Sequence, residues 1–316
     1  MRRCLLSLVV LVSLAAVPAA EAKWKLGMSE QNAHMFVEPS FAALNTTMAR
    51  YVVPWDVMTK RGRRVDKENV DNWIKTAHSK NQDILVAFET SRKTPRKAPS
   101  VVQYTRALRK FQKAYPFIHN IQSWNEVNRC TDTNEAGYVV GQPICRKPKL
   151  AALFYMAARR VFKGSKITGL DILDAQNISC KKMECALKYI RNFLKYAKPR
   201  PKYWGLHNYA DTNRFSMKRT KAILKLTRRG DVWLTETGGI VSLGKNFPYS
   251  PKRAAKALGC MFSLANSNAR ITRLYVYEYF GQKKSPLFDA GLLNPNFSKR
   301  PGYEVVRKRK ARRCHR

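Results

Sequence analysis

Two stretches decide how this chain reads: Ser123-Trp124-Asn125-Glu126-Val127-Asn128 and Trp233-Leu234-Thr235-Glu236-Thr237-Gly238-Gly239. Each puts a glutamate where an apolar run stops. They read as the two halves of one acid/base and nucleophile pair, provided that a fold brings together Glu126 and Glu236, which lie 110 positions apart.

Working outward, apolar or β-branched runs recur with helical patterns between them, the alternation expected of βα units around a parallel sheet. Eight can be marked: Trp24–Met28, Met48–Val53, Ile84–Phe88, Ile118–Trp124, Lys166–Leu170, Tyr203–His207, Val232–Thr235 and Arg273–Tyr277. Between them, apolar residues at three- and four-residue steps predict helices over Lys67–Lys80, Ser100–Ala114, Leu150–Phe162, Cys185–Tyr196, Met217–Thr227 and Lys252–Ala265. Eight strands alternating with helices predict an α/β chain folded as a single (β/α)8 TIM barrel over residues 23–306. An open doubly wound sheet would need a glycine-rich first turn. The turn after Met28 reads Ser29-Glu30-Gln31-Asn32, with neither a dinucleotide fingerprint nor a P-loop.

The chain has 316 residues. Met1-Arg2-Arg3, the apolar run Cys4–Val17 and Ala20-Glu21-Ala22 predict a secretory signal over residues 1–22, too short for a comfortable span, so no membrane span is expected after its removal. Beyond it lie Cys130, Cys145, Cys180, Cys185, Cys260 and Cys314, an even set that in an exported chain predicts disulfides. Proximity suggests Cys130 with Cys145 and Cys180 with Cys185, leaving Cys260 for Cys314. No His joins them at metal-ligand spacing, so neither a metal nor any other cofactor is expected. Sixty Lys and Arg against 21 Asp and Glu give a formal charge of +39. Such an exterior should adsorb to anionic envelope or matrix polymers. Residues 307–316 read as a solvated basic tail. Sequons begin at Asn45, Asn177 and Asn296.

In a barrel of this kind the functional groups come from the C-terminal ends of the strands. Those ends carry Glu30, Asp56, Glu89, Glu126, Asp171, Asp174, Asp211, Glu236 and Glu278, nine of the 21 acids. That concentration predicts an acidic mouth in a basic body, and with it a neutral or weakly charged sugar in the cleft. Trp55, Trp124, Tyr209, Tyr277 and Tyr279 follow the same geography and are candidates for packing against sugar C–H faces.

The pattern resembles clan A of the glycoside hydrolases, retaining (β/α)8 enzymes with an Asn-Glu pair ending the fourth strand and a nucleophilic Glu ending the seventh. Trp124-Asn125-Glu126 matches the first motif and Leu234-Thr235-Glu236-Thr237-Gly238 the second. Arg50 before Val53-Pro54-Trp55, His207-Asn208-Tyr209, and Phe288–Leu293 followed by Lys299–Tyr303 fall in the corresponding order. The likeness is to the family 5 and family 39 type. It implies Glu126 as general acid and then base, Glu236 as nucleophile, Asn125 on the sugar 2-hydroxyl, and Arg50 and Tyr209 holding Glu236 ionised while Glu126 stays protonated. His207, Trp55, Tyr277 and Glu278 would complete the substrate site. Tyrosine at Tyr277 replaces the tryptophan of many relatives.

The expected function is thus a secreted glycoside hydrolase, a monomer, cleaving a β-linked oligo- or polysaccharide. The alternative is a non-catalytic barrel that binds envelope polysaccharide. Specific nucleic-acid binding has only the charge in its favour, with no recognisable module.

Overall fold

A computed structural model describes residues 24–130, 141–174, 183–282 and 288–314. The signal segment, the sequon at Asn177 and the Cys180 half of the proposed Cys180–Cys185 pair lie outside them. Eight parallel strands close in sequence order: β1 Lys25–Ser29, β2 Met48–Pro54, β3 Asp83–Glu89, β4 Asn120–Gln122, β5 Lys166–Leu173, β6 Tyr203–His207, β7 Asp231–Thr237 and β8 Ile271–Tyr277. Closure is by β1 against β8, Leu26 beside Leu274 and Ser29 beside Tyr277. The (β/α)8 barrel read from the sequence is the fold.

The helices are α1 Pro39–Ala42, α2 Arg64–Ser79, α3 Val101–Ala114, α4 Pro148–Val161, α5 Met183–Leu194, α6 Tyr209–Asn213, α7 Lys218–Thr227, α8 Pro251–Asn266 and α9 Pro301–Arg307. All six expected helices form. In α3 the reason is local and legible. Ser100 and Gln103 make a reciprocal capping box at the start, and Tyr104, Ala107, Leu108 and Phe111 form the buried stripe.

Most of the core is the annulus between strands and helices, where Tyr51 stacks on Trp73 with ring centroids 4.5 Å apart. A second apolar layer, Met48, Leu85, Trp233 and Tyr275, plugs the barrel interior. Gly27 makes room for it, since a Cβ there would stand 2.8 Å from the Met48 carbonyl oxygen and 2.9 Å from Tyr275 Cδ1. Arg273 finishes the floor, 4.3 Å over the Trp233 ring and 3.1 Å from Asp83. With the lower half filled, the polar groups of the upper half have no route to solvent except the C-terminal mouth.

Several strands depart from the expected extents, β4 and β5 among them. β4 is only three residues long because the chain turns off the sheet after Gln122, and Glu126 takes a left-handed φ of 43°. β5 runs on to Leu173 with a register shift between Thr168 and Asp171.

Disulfides join Cys130 to Cys145 and Cys260 to Cys314, with Cα separations of 5.2 and 4.9 Å, as the spacing suggested. The second ties down the end of a basic tail whose residues 307, 308 and 310–313 are exposed. Cys314 is buried, and Arg312 donates its N–H to Gly259 and accepts from Ser263 Oγ, so the segment beyond α9 lies pinned along α8. Among the described residues no helix is long and apolar enough to cross a membrane.

Candidate active site

Arg50, in the middle of β2, points into the barrel and is fully buried. A guanidinium has five N–H donors and no way to shed its charge, so burial demands five acceptors. It finds them: Nε donates to Gln122 Oε1 at 2.7 Å, Nη1 to Ser29 Oγ at 3.1 Å and Glu236 Oε1 at 2.6 Å, and Nη2 to Asn125 Oδ1 at 2.7 Å and Asp171 Oδ2 at 3.3 Å. Burial works against the charge, but Glu236 and Asp171 outweigh it and raise the Arg50 pKa. Tyr209, at the first position of α6, donates to the other oxygen of Glu236 at 3.3 Å. The bond from Arg50 also orients Asn125, turning its amino group away from the guanidinium.

His207 links the two glutamates. Its Nε2 lies 2.9 Å from Asp171 Oδ2, and its Nδ1 lies 3.0 Å from Glu126 Oε1 and 3.6 Å from Glu236 Oε2. Burial disfavours the imidazolium, yet Asp171 and Glu236 prevail and push its pKa up to about 10. Thr235 Oγ donates to Asp171 Oδ1 at 2.5 Å, fixing that carboxylate. Burial likewise opposes charge on Asp171, but His207 and Arg50 hold its pKa below the usual carboxylate range.

Glu126 carries a further cation, with Arg129 Nη1 at 2.8 Å from Oε2. Burial would raise its pKa, but Arg129 and His207 overcome that and hold it down to about 2. The expectation that the surroundings keep Glu126 protonated is therefore not met. Sequence comparison of motifs had no reason to consider Arg129, one helical turn along in a loop. A carboxylate oxygen of Glu126 and one of Glu236 lie within 4.8 Å of each other and of His207. That spacing alone would suit a metal ion. Each carboxylate is, however, already matched by a guanidinium, Glu236 by Arg50 and Glu126 by Arg129.

Glu126, Glu236, Arg50, Asn125, His207 and Tyr209 thus form one connected cluster. The other candidates divide. Tyr277 is half-buried at the mouth, its ring 5.9 Å from Phe288, which also meets Tyr209 edge-on at 5.3 Å. Glu278 is buried between the Tyr277 hydroxyl and the Ala290 N–H, with Oε1 unpartnered, and burial together with Glu30 raises its pKa to about 8. Trp55, just past the end of β2, is buried within the main apolar cluster. Trp124 turns outward, stacking on Phe154 at 5.2 Å and donating to Gln142, and Tyr279 packs on Phe41 and bonds Ser40. Trp124 and Tyr279 are thereby engaged in packing.

The rim acids are not a free acidic surface. Glu30 accepts four backbone N–H groups, from Gln31, Asn32, Tyr279 and Phe280. Asp174 accepts those of Ala210 and Asp211, Asp211 those of Arg219 and Thr220, and Asp56 takes the Ser91 hydroxyl. Glu89 is paired with Arg92 at 2.5 Å. These contacts tie the rim carboxylates to loop backbone, to Ser91 and to Arg92.

No protein-family model and no curated protein matches the sequence. Solved structures match the fold. A GH10 from Paenibacillus barcinonensis superposes with a TM-score of 0.59 at 13% identity, over 91% of this chain and 95% of that one. A GH5_18 variant from Streptomyces cattleya, in complex with Manβ1-4GlcNAc, gives 0.64 at 14% identity, over 90% and 80%. A family 39 glycoside hydrolase from Bacteroides cellulosilyticus gives 0.61 at 15% identity, over 93% and 65%. These likenesses show a shared eight-stranded (β/α)8 barrel fold.

Proposed function

We propose that this chain is a retaining glycoside hydrolase acting on a β-linked glycan, with Glu236 as nucleophile and Glu126 as acid/base. The observation that carries this reading is the spacing of the two carboxylates, oxygens within 4.8 Å. Retaining pairs stand roughly 5–5.5 Å apart, whereas inversion needs about 6.5–9.5 Å to admit a water between them. The β-linkage draws support from the structural neighbours, which include a complex with Manβ1-4GlcNAc and an endo-1,4-β-xylanase.

Arg50 and Tyr209 hold Glu236 by one oxygen each, so its charge is placed without being transferred, and it can attack the anomeric carbon. Glu126 gives a proton to the departing glycosidic oxygen, then withdraws one from the water that releases the glycosyl-enzyme. Asn125, held by Arg50, directs its amino group to the sugar 2-hydroxyl, a contact that tightens as positive charge develops on the ring. The imidazolium of His207, braced by Asp171, steadies Glu126 in its ionised phase. The first step requires Glu126 to carry a proton, so its contact with Arg129 has to loosen when substrate binds. Export through residues 1–22 and adsorption of the strongly basic body to anionic polymer complete the reading.

The test is a 2-deoxy-2-fluoro β-glycoside with a good leaving group, followed by mass spectrometry of the peptides. A glycosyl group on Glu236 is expected. Label on another residue, or product of inverted configuration, overturns the assignment. Binding without hydrolysis or label would favour a non-catalytic polysaccharide-binding barrel.

A further inference from the structure

We propose that the mouth of this barrel selects an acidic glycan, one bearing a carboxylate or sulfate beside the scissile bond, and that Arg129 is the residue that receives this anion. The proposal rests on the glycosidase reading and deepens it.

Three observations converge. First, the acids at the rim are held by backbone N–H groups or local cations, with Arg92 on Glu89 and Arg129 on Glu126. Second, the loop from β3 to α3 carries Arg92, Lys93, Arg96 and Lys97, all exposed, with no acid between Thr90 and Ser100. Among the described residues only Arg92 of these four has an ion-pair partner. This loop leaves the barrel beside β4, on the Glu126 side of the mouth. Third, Arg129 reaches from that side with Nη1 on Glu126 while its buried Nε–H has no acceptor and the side chain as a whole is 29% exposed. A guanidinium bound through one nitrogen with its neighbouring N–H idle gains a second bond by turning to an anion that offers two oxygens.

The consequence is a coupling between recognition and chemistry. With Arg129 on Glu126, the carboxylate is stabilised in the form that cannot donate a proton. A uronate or sulfate that takes the guanidinium removes that stabilisation, leaving Glu126 free to hold the proton the leaving group needs. A neutral sugar supplies no competitor, and Arg129 stays on Glu126. Substrate charge would thus be read at the general acid itself.

Two measurements at about 0.15 M salt, where loose surface attraction is largely screened, test this. Hydrolysis by the intact protein is compared for β-linked uronate oligosaccharides, sulfated oligosaccharides and neutral xylo- and manno-oligosaccharides. Equilibrium binding of the same probes, and of a single-stranded oligonucleotide, is measured on Glu236→Gln. One of the two acidic classes is expected to exceed the neutral class at least tenfold in kcat/KM and in affinity, and the class that does so distinguishes carboxylate from sulfate. Arg129→Gln should lower that ratio at least tenfold, with Arg129→Lys retaining part of it. Neutral probes equal to or better than acidic ones, a ratio unmoved in Arg129→Gln, or an oligonucleotide bound as tightly as the glycans overturns the proposal while leaving retaining hydrolysis standing. If no class is hydrolysed, the glycosidase reading fails, and the binding ratio still decides the anion site.

Discussion

Arg50 Nη1 lies 2.6 Å from Glu236 Oε1 inside a barrel whose floor is sealed by Trp233 and Tyr275. The pair is the centre of the site and a condition of the fold, because neither charge can be withdrawn without stranding the other. Arg50→Met should cost about 3–5 kcal/mol, the penalty of leaving a buried ion uncompensated. Arg50→Lys keeps the charge but not the five-way fork, so it should unfold at a higher urea midpoint than Arg50→Met yet lose most hydrolysis. Urea unfolding of both variants alongside an aryl-glycoside assay checks this, and an Arg50→Met midpoint equal to that of the parent would contradict it.

Glu236→Gln preserves shape and one hydrogen-bond acceptor for Arg50 but abolishes the nucleophile. Turnover should fall by about 10³-fold or more. The circular dichroism spectrum should be unchanged. Activity within tenfold of the parent would remove Glu236 from the mechanism.

The charged site also dictates how stability follows pH. His207 has its pKa raised from 6.5 to about 10, so the folded state binds its proton more tightly. The stabilisation from this group is full below about pH 6.5 and is lost as the pH rises towards 10. The stability gap between the parent and His207→Gln should therefore be widest in mildly acidic solution and close in alkali. Glu126 has the opposite sign. Its pKa falls from 4.5 to about 2, so its contribution is present above pH 4.5 and is lost as pH falls towards 2. Glu126→Gln should flatten that acid limb, as followed by denaturant midpoints across the range.

The Cys260–Cys314 bridge closes a loop of 54 residues around α9. On the chain-entropy account such a bridge contributes about 4 kcal/mol. Replacing both cysteines with serine should lower the thermal midpoint and expose the segment after Arg307 to trypsin, read by the time course of cleavage. Equal resistance in both proteins would show that the contacts of Arg312 with Gly259 and Ser263 suffice without the bridge.

Strand and helix patterns, the order of motifs and two cysteine pairings were legible in the sequence because each depends on residues close together or on period alone. The contacts of Arg312 with Gly259 and Ser263 were not legible, because they join backbone and side chains about fifty positions apart. Trp124 and Tyr279 carry no mark of which way they face, and a one-residue difference at a strand end sends a ring into packing instead of the mouth. Arg129 was missed for a related reason: a loop residue three positions from Glu126 faces it only when Glu126 adopts its left-handed backbone.

By itself the sequence determined the eight-stranded barrel and the strand ends on which Glu126 and Glu236 stand, since hydrophobic periodicity specifies elements and elements specify the barrel. Only the tertiary structure decided the electrostatics. Register shifts between Thr168 and Asp171, between Gly205 and His207 and between Leu234 and Thr237 re-aim β5, β6 and β7, so that Asp171, His207 and Glu236 all enter the same buried layer as Arg50. A count of acids could not foresee this. Charges act over distances of a few ångströms in space, and the partners of each carboxylate come from strands and loops far apart in the chain.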